Sequence, residues 1–161
     1  MKEIKLTQGK VAIVDDKDFY KLNHNKWHAR KMVNGTFYAA RRKNGKHVYL
    51  HSEIMPSVDG MEIDHIDGDG LNCQRSNLRN CTHIQNTMNR KMSLSSTSGF
   101  KGVSWHKRDE IWGANIRVNG RLNHLGNFTL LKEAALAYNE AAIKYFGEFA
   151  RLNTITDKGS T

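Results

Sequence analysis

The sequence predicts an α+β fold in two parts. The first is a β-meander leading into a strand–loop–strand–helix unit, and the second is a three-stranded antiparallel sheet packed on one helix. Asn-Gly pairs at 34–35, 44–45 and 119–120 separate short strand-like segments, and this pair favours two-residue hairpin turns. The polar stretch 93–98 separates the two parts, and the apolar spacing in residues 130–146 is helical.

The first part is predicted to begin with strands joined by tight turns. Asp residues at 15, 16 and 18 indicate a turn or a helix start after the first strand, because Asp favours helix N-caps. The expected elements are strands at 10–14, 27–33, 36–42 and 47–50 and a short helix near 51–55.

The middle of the chain is predicted to alternate strand, loop, strand and helix. Strands are expected at 61–65 and 78–81, with a tight loop at 67–70 between them. Thr82 followed three residues later by Gln85 has the form of a capping box. A helix is therefore predicted over 83–91.

The second part is predicted to hold three strands, at 101–106, 112–118 and 122–125, followed by a helix over 130–146. Thr129 is expected to cap this helix and Gly147 to end it. Leu131, Tyr138 and Tyr145 repeat every seven residues, which predicts a buried stripe. The expected domains are residues 1–92 and 99–153, with a linker at 93–98 and a tail at 154–161.

The composition is basic along the whole chain. The 161 residues carry a net charge of +9, with a pI near 9.7. Residues 1–92 hold 16 Lys+Arg and 10 Asp+Glu, or +6, and residues 93–161 hold 9 and 6, or +3. Such a balance indicates nucleic acid or another anionic partner, and its spread excludes a basic tail attached to a neutral enzyme.

The cysteine content indicates a reducing compartment. Cys73 and Cys81 make neither a disulfide framework nor paired zinc knuckles, so two free thiols are expected. The first residues lack the apolar segment of a signal peptide, and no apolar run could span a membrane. We therefore expect a soluble intracellular protein, not secreted and without a membrane partner.

Four residues between positions 64 and 86 have the chemistry of phosphodiester cleavage. His65 is a natural general base because its pKa lies near neutrality. Asp64 and Asn86 offer oxygen ligands, which favour a hard cation such as Mg²⁺, with Mn²⁺ as the alternative, over zinc. Asn77 is placed to bridge the loop backbone and fix His65. Neighbouring strand residues face opposite sides, so Asp64 and His65 can share one site only if the strand ends there.

The spacing of these residues closely resembles the HNH endonuclease family, in the branch found with phage and intron-encoded homing enzymes. The resemblance extends from about residue 49 to residue 91 and includes the segments 50–55, 63–68, 76–79 and 82–86. It implies a ββα-metal fold, with His65 as general base and Asn77 as the structural asparagine. It also implies Asp64 and Asn86 as metal ligands, the latter replacing the histidine that names the family.

Residues 98–153 resemble the plant ethylene-response-factor (Apetala-type) DNA-binding domain, through the segments 100–103, 112–117, 124–128, 133–139 and 152–153. That family places its sheet in the major groove of DNA. The residues that the resemblance puts on the reading face are Lys101, Ser104, His106, Arg108, Asn115, Arg117 and His124. Four of these, Ser104, His106, Arg108 and His124, replace Arg or Trp of the plant domains, so the plant target sequence is not carried over.

The sequence therefore predicts a site-specific, metal-dependent DNA endonuclease of the homing type. Duplex DNA is the expected partner, bound by a monomer or a dimer, and no obligate protein partner is indicated. The alternative is a sequence-specific DNA-binding regulator with an inactive nuclease fold. An RNA-binding protein is the weaker rival, since no aromatic-rich stacking motif for single strands is present.

Overall fold

The computed structural model describes residues 1–92 and 96–155, and the chain divides into two compact units, Met1–Asn86 and Thr87–Thr161. The described residues form ten strands, all paired antiparallel within four small sheets, and four α-helices. The predicted α+β class is confirmed.

The first unit opens with a hairpin that the sequence analysis missed in part. Strand β1 (Lys2–Lys5) pairs with β2 (Val11–Val14), and α1 (Asp16–Leu22) follows. The only apolar residue of β1 is Ile4, which is buried. One apolar residue among charged neighbours carries too little periodicity to predict a strand.

The predicted meander is present as a three-stranded sheet, β3 (His28–Lys31), β4 (Phe37–Lys43) and β5 (Lys46–Tyr49), in that order. The predicted turns at Asn34-Gly35 and Asn44-Gly45 connect these strands, with positive φ at Gly35, Asn44 and Gly45. The short helix α2 (Leu50–Ile54) follows directly. Its buried residues Leu50 and Ile54 join the core of the unit.

The middle segment forms a two-stranded ribbon and a helix. Strand β6 (Glu62–His65) pairs with β7 (Leu78–Cys81), and α3 (His83–Met88) comes next. The capping box at α3 is confirmed: the Thr82 amide donates to Gln85 Oε1 (2.8 Å) and the Gln85 amide to Thr82 Oγ1 (3.2 Å). The helix ends at residue 88, however, three residues before the predicted end.

One core holds the strands and helices of the first unit together. Its buried residues come from every strand pair and from α1 and α2, and they are Ile4, Ala12, Val14, Leu22, Trp27, Ala39, Leu50, Ile54, Cys73 and Leu78. The loop between β6 and β7 is attached to β2, because the Ile13 amide donates to Leu71 and the Cys73 amide donates to Ile13. Burial of apolar area at about 25 cal/mol per Å² is the main stabilising term in such a core.

The second unit is a sheet of three strands, β8 (Val103–His106), β9 (Ile111–Val118) and β10 (Arg121–Phe128), packed on the helix α4 (Leu131–Phe146). Two details of the prediction for α4 are wrong. The N-cap is Leu130 without a side-chain cap, not Thr129. Tyr138 is buried, but Tyr145 is 46% exposed, and alanines and Phe146 fill the buried face. Gly147 ends the helix as predicted, with φ of 53°.

The start of β8 is fastened to the end of the described chain by two asparagines. Asn153 exchanges hydrogen bonds with both backbone groups of Lys101 (2.7 and 3.0 Å). It also exchanges two bonds with Asn139 of α4 (2.7 and 2.9 Å). Ser98 is buried and donates to the Val103 carbonyl (2.8 Å).

The proposed domain limits remain predictions. Residues 93–95 of the predicted linker and residues 156–161 of the predicted tail lie outside the described residues. The division between the two units falls at Asn86 and Thr87, within α3.

Candidate functional site

Asp64 lies in the ribbon of the first unit and is almost fully buried. It stands opposite Arg79 in the β6–β7 register, and its Oδ2 accepts hydrogen bonds from Arg79 Nη2 (2.9 Å) and Nε (3.0 Å). Asp64 is 6% exposed, and 12% of the Arg79 side chain is exposed. A buried carboxylate requires such a partner, since an uncompensated buried charge is strongly destabilising.

His65 is the last residue of β6, so the strand ends where the sequence analysis required. The residue is 4% exposed, and its ring lies 5.0 Å from the ring centroid of His51 and 5.6 Å from that of Tyr38. Its Nε2 is 3.8 Å from the Cys73 sulfur. Burial lowers the pKa of His65, and the charges of Asp67, Asp64 and Asp69 offset part of that effect. A neutral imidazole at neutral pH follows.

The loop after His65 is organised by Asn77. The Asn77 side chain accepts from the Asp67 amide (3.0 Å) and donates to Asp67 Oδ1 (2.9 Å) and to the Asn72 carbonyl (2.8 Å). The backbone carbonyl of Asn77 accepts a hydrogen bond from the backbone amide of Ile66 (2.9 Å). Asn77 thus bridges the loop backbone as expected, beginning at the residue directly after His65.

The same loop packs against the neighbouring sheet. A Cβ at Gly70 would overlap the Phe37 carbonyl and the Tyr38 ring, so only glycine permits this approach. The contact brings the loop against Tyr38, which in turn touches the rings of His51 and His65. The loop, Tyr38 and α2 together enclose His65.

Asn86 is connected to β6 through Glu62. Its Nδ2 donates to Glu62 Oε2 (2.5 Å), while Glu62 Oε1 lies 2.8 Å from His83 Nδ1. Glu62 and Asp64 are two residues apart in one strand, so they share a face of the ribbon. The Asn86 side-chain nitrogen donates to Glu62. The side-chain oxygen of Asn86 is the atom suited to bind a cation.

The donor atoms on this face fit a hard, hydrated divalent cation. Asp64, Asn86 and Glu62 offer only oxygens, which suit Mg²⁺ or Mn²⁺ better than zinc. Among residues 1–92 and 96–155, no group of three or more His, Cys, Asp and Glu is arranged to hold a metal. Mg²⁺ sites commonly take several of their ligands from substrate and water.

Glu62 and Arg79 are functional candidates that sequence reasoning missed. Both could have been found from the strand register: Glu62 is two residues before Asp64, and Arg79 follows the Asn77-Leu78 pair directly. However, Glu62 is 24 residues from its partner Asn86 in the chain, and Arg79 is 15 residues from its partner Asp64. The two cysteines are free as expected, and both are buried. Burial raises the pKa of Cys73 to about 12 and that of Cys81 to about 11.

In the second unit, the sheet places five of the predicted reading residues on one face. Asn115 pairs with His124 across β9 and β10, and their side chains lie 3.2 Å apart. His106 lies over Gly113, the partner of Ser104. The members of this face, the reading face, are Ser104, His106, Asn115, Arg117 and His124. The opposite face holds Val103, Ala114 and Ile116, which are buried against α4.

The other two predicted reading residues lie elsewhere. Arg108 is in the turn after β8 and donates to Asp109 (2.9 Å), with 92% of its side chain exposed. Lys101 precedes β8, and its ammonium donates to the carbonyls of Met88 (2.6 Å) and Arg90 (2.9 Å). Burial lowers the pKa of Lys101 to about 8. This lysine holds backbone groups of its own unit.

The ribbon, the helix and the polar residues at their junction are consistent with a nuclease module. The family model described as HNH endonuclease matches residues 55–88, which contain this module. Protein 3.8 of Escherichia phage T7 is 38% identical over 116 residues, which are 71% of this chain and 93% of that protein. The chain belongs to the HNH endonuclease family.

Two other relatives match parts of the chain. An uncharacterized HNH endonuclease of Acanthamoeba polyphaga mimivirus is 37% identical over 93 residues, 58% of this chain and 47% of that protein. An AP2-like ethylene-responsive transcription factor of Arabidopsis thaliana is 33% identical over 66 residues, 41% of this chain and 14% of that protein. No solved structure gives a significant match. No helix within the described residues is long and apolar enough to cross a membrane.

Proposed function

We propose that this chain is a site-specific, metal-dependent DNA endonuclease of the homing type, in which the first unit cuts and the second selects the site. The observation that carries the proposal is the end of β6. There Asp64 and His65 are consecutive and buried, and Glu62 of the same strand is hydrogen-bonded to Asn86 of α3. The family membership supports the same chemistry.

His65 is the proposed general base. Its lowered pKa keeps the imidazole neutral near pH 7, so that it can take a proton from the attacking water. Asn77 holds the loop directly after His65 through three side-chain hydrogen bonds and thereby fixes the strand end. Cys73, Tyr38 and His51 surround the ring and limit its rotation.

Asp64 and Asn86 are the proposed metal ligands, with Mg²⁺ as the expected cation and Mn²⁺ as its substitute. A bound divalent cation supplies charge stabilisation at the phosphate and the leaving oxygen. Arg79 holds Asp64 by two hydrogen bonds, and Glu62 holds the nitrogen end of the Asn86 amide. Both contacts position a ligand side chain before substrate arrives.

The second unit is proposed to read duplex DNA through the reading face, in the manner of the Apetala-type domains. The partial similarity to a plant transcription factor supports this assignment. Arg117 suits guanine or phosphate and Asn115 suits adenine. Arg108, in the exposed turn, is proposed to contact the DNA as well. Lys101 is kept among the proposed DNA-contacting residues because of the resemblance to the Apetala-type domains. Its hydrogen bonds to two backbone carbonyls also give it a structural role.

Plasmid cleavage tests the nuclease proposal. The chain is incubated with supercoiled duplex DNA in Mg²⁺, in Mn²⁺ or in chelator, beside His65→Ala, Asp64→Asn and the exposed-site control His24→Ala. We expect cutting in either metal, none in chelator, and a loss of about 10²- to 10⁴-fold for His65→Ala. Equal cutting by His65→Ala would contradict the assignment of His65 as general base. The ratio of nicked to linear product distinguishes a nickase from a dimeric cutter.

The deep burial of His65 favours a second candidate, a DNA-binding regulator whose nuclease unit does not cut. The same plasmid assay separates the two, because a regulator would bind duplex DNA and leave it intact in every metal. Deletion of residues 99–161 addresses the second unit. We expect weaker binding and loss of site choice with some cutting retained, and unchanged site choice would refute the reading role.

A further inference from the structure

The three-stranded sheet of the first unit carries a cationic face that leads to His65. Alternation along β4 puts Ala39 in the core and Tyr38, Ala40 and Arg42 on the opposite side. The register adds His28 and Arg30 from β3 and His47 and Tyr49 from β5 to that side. We call the four basic residues His28, Arg30, Arg42 and His47 the cationic face.

The members of the cationic face are close neighbours. The rings of His28 and His47 are 5.9 Å apart, and Arg42 pairs with His47 in the register. The pKa of His47 is lowered, first by burial and then by the positive charges of Arg30, Arg42 and His28. Residues 19–52 contain eight lysines and arginines and no aspartate or glutamate. Two of the eight, Arg30 and Arg42, belong to the cationic face, and this segment supplies no carboxylate to neutralise them.

Aromatic contacts connect this face to the nuclease site. Arg30 Nη1 donates to the Tyr49 hydroxyl (2.9 Å), and the Tyr49 ring stacks on His51 (5.4 Å between centroids). His51 and Tyr38 both touch His65. The path from Arg30 to His65 therefore runs through contacting side chains of a single compact unit.

The dimensions match a stretch of DNA. Tyr38 to Arg42 spans five residues, and the four steps between them cover roughly 14 Å at about 3.4 Å per residue. A nucleic-acid strand advances about 3.4 Å per phosphate along the duplex axis, so the face could follow about four successive phosphates. Arg30 uses one donor for Tyr49, and a guanidinium has about five.

We infer that the cationic face binds backbone phosphates of duplex DNA flanking the bond to be cut, independently of sequence. This inference rests on the proposed function in taking DNA as the substrate. It assigns the face to phosphate contact rather than to base reading, since the permanent charges of Arg30 and Arg42 suit phosphate oxygens. Arg41, next to Arg42 in the chain, is excluded because it pairs with Glu53 and lies over Trp27 on the core side.

The test compares two double variants of the full chain with equal net charge. Arg30→Gln/Arg42→Ala removes two members of the cationic face. Lys31→Gln/Lys43→Ala removes the next residue of each strand, on the opposite side of the sheet. Binding to a labelled 30-bp duplex of arbitrary sequence is measured in chelator over a range of salt concentrations, with thermal midpoints to verify folding.

We expect the slope of log K against log salt to fall by about 1.8 in magnitude for Arg30→Gln/Arg42→Ala, since each phosphate contact contributes about 0.9. The lysine control should match the parent chain. Equal slopes for the two double variants would overturn the inference. If Arg30→Gln/Arg42→Ala unfolds, the single variant Arg42→Ala, at an exposed position, is compared with Lys43→Ala in the same way.

The outcome is separable from that of the nuclease proposal. If the parent chain cuts DNA but both double variants bind alike, the nuclease proposal is supported and phosphate binding by the cationic face is refuted. If the parent chain never cuts DNA but the salt slopes of the two double variants differ as expected, phosphate binding by the cationic face is supported and the nuclease proposal is refuted. When both hold, the Arg variants should raise KM for plasmid cleavage while kcat stays close to that of the parent.

Discussion

His51 buries a ring nitrogen, Nδ1, that has no hydrogen-bond partner in the described structure. The ring is stacked on Tyr49 and meets His65 edge-on at 5.0 Å between centroids. Burial, with a smaller effect from His65, lowers the pKa of His51 to about 3 from its ordinary value of 6.5. A buried ring nitrogen without a partner costs stability, and the cost grows if the ring must be charged.

Replacing His51 should change how stability depends on pH. Between pH 6.5 and about 3 the unfolded chain binds a proton at this position and the folded chain does not. Stability of the parent therefore falls as pH falls through this window, by up to about 1.4 kcal/mol per pH unit. His51→Phe keeps a flat ring on Tyr49 and should remove that slope. Urea denaturation at pH 7, 6, 5 and 4 measures it, with exposed His24→Phe as control.

The difference in unfolding free energy between His51→Phe and the parent should grow steadily in favour of the variant on acidification. Parallel pH profiles for the two proteins would show that the imidazole is protonated alike in both states. Other acid-sensitive pairs, such as Asp18 with Arg75, are common to both proteins and cancel in the difference.

Glu62 is expected to position Asn86 for the cation. Glu62→Ala removes the acceptor for Asn86 Nδ2, so the amide loses its fixed orientation. Loss of such an orienting partner typically weakens metal affinity about 10- to 100-fold. Glu62→Gln keeps one acceptor oxygen and should be milder. The Mg²⁺ concentration for half-maximal cleavage measures the effect, with exposed Glu3→Gln as control.

A second readout makes the role of Glu62 independent of activity. The side-chain NH₂ resonances of Asn86 in the metal-free protein should shift markedly in Glu62→Ala and less in Glu62→Gln. Unchanged resonances and an unchanged Mg²⁺ requirement in Glu62→Ala would mean that Asn86 is held by other groups.

At the scale of elements, α3 shows how a local signal places a site residue. The helix has only six residues, too few to be stable alone. Its two reciprocal cap bonds at Thr82 and Gln85 satisfy two backbone donors. Asn86 lies one residue after Gln85, and its own amide donates to the Thr82 carbonyl (3.0 Å). The cap therefore fixes the position of Asn86 in the first turn of α3.

Thr82→Ala should cost about 1 kcal/mol in stability, the usual worth of an N-cap side chain, and should lower metal-dependent cutting because Asn86 is less well placed. Thr129→Ala is the matched control, since the residue precedes α4 but makes no cap. Chemical denaturation and the plasmid assay compare the two. A loss for Thr129→Ala as large as that for Thr82→Ala would contradict the capping argument.

The elements themselves divide into those that local chemistry predicts and those that it does not. Hairpins with Asn-Gly turns and the capping box follow from contacts between residues two or three apart, and they were predicted. Strand β1 and the cap of α4 were not. The polar sequence of β1 becomes a strand because β2 and the core pair with it and bury Ile4. Thr129 is one residue too early, because the helix begins after Leu130.

At the scale of the whole molecule, the proposed function gives the two units separate tasks. The first unit has three sheets around one buried core, and the second has one sheet with its own buried apolar clusters. The polar residues of the nuclease module lie in one unit, and the reading face lies in the other. We expect substitutions in the second unit to alter where the protein acts on DNA without altering the chemistry of cutting.

Asn115→Ala and Arg117→Ala test that division of tasks. A target is first selected from a random duplex library with the parent chain. Each variant should lose about 1–3 kcal/mol of discrimination between the target and a scrambled duplex, the usual worth of one base contact. Cutting of non-specific DNA should be unchanged. Lys144→Ala, on α4, is the control, and undiminished discrimination in both reading-face variants would refute the assignment.

The sequence by itself determined the α+β class, the hairpin turns, the free thiols and the spacing of Asp64, His65, Asn77 and Asn86. These depend on residue chemistry and on contacts between near neighbours in the chain. Only the tertiary structure decided that Arg79 holds Asp64, that Glu62 holds Asn86 and that Lys101 turns to backbone carbonyls. It also decided that Tyr38 and His51 enclose His65. Those contacts join residues 11 to 27 positions apart, and periodicity within a segment does not specify which distant segment will cover it.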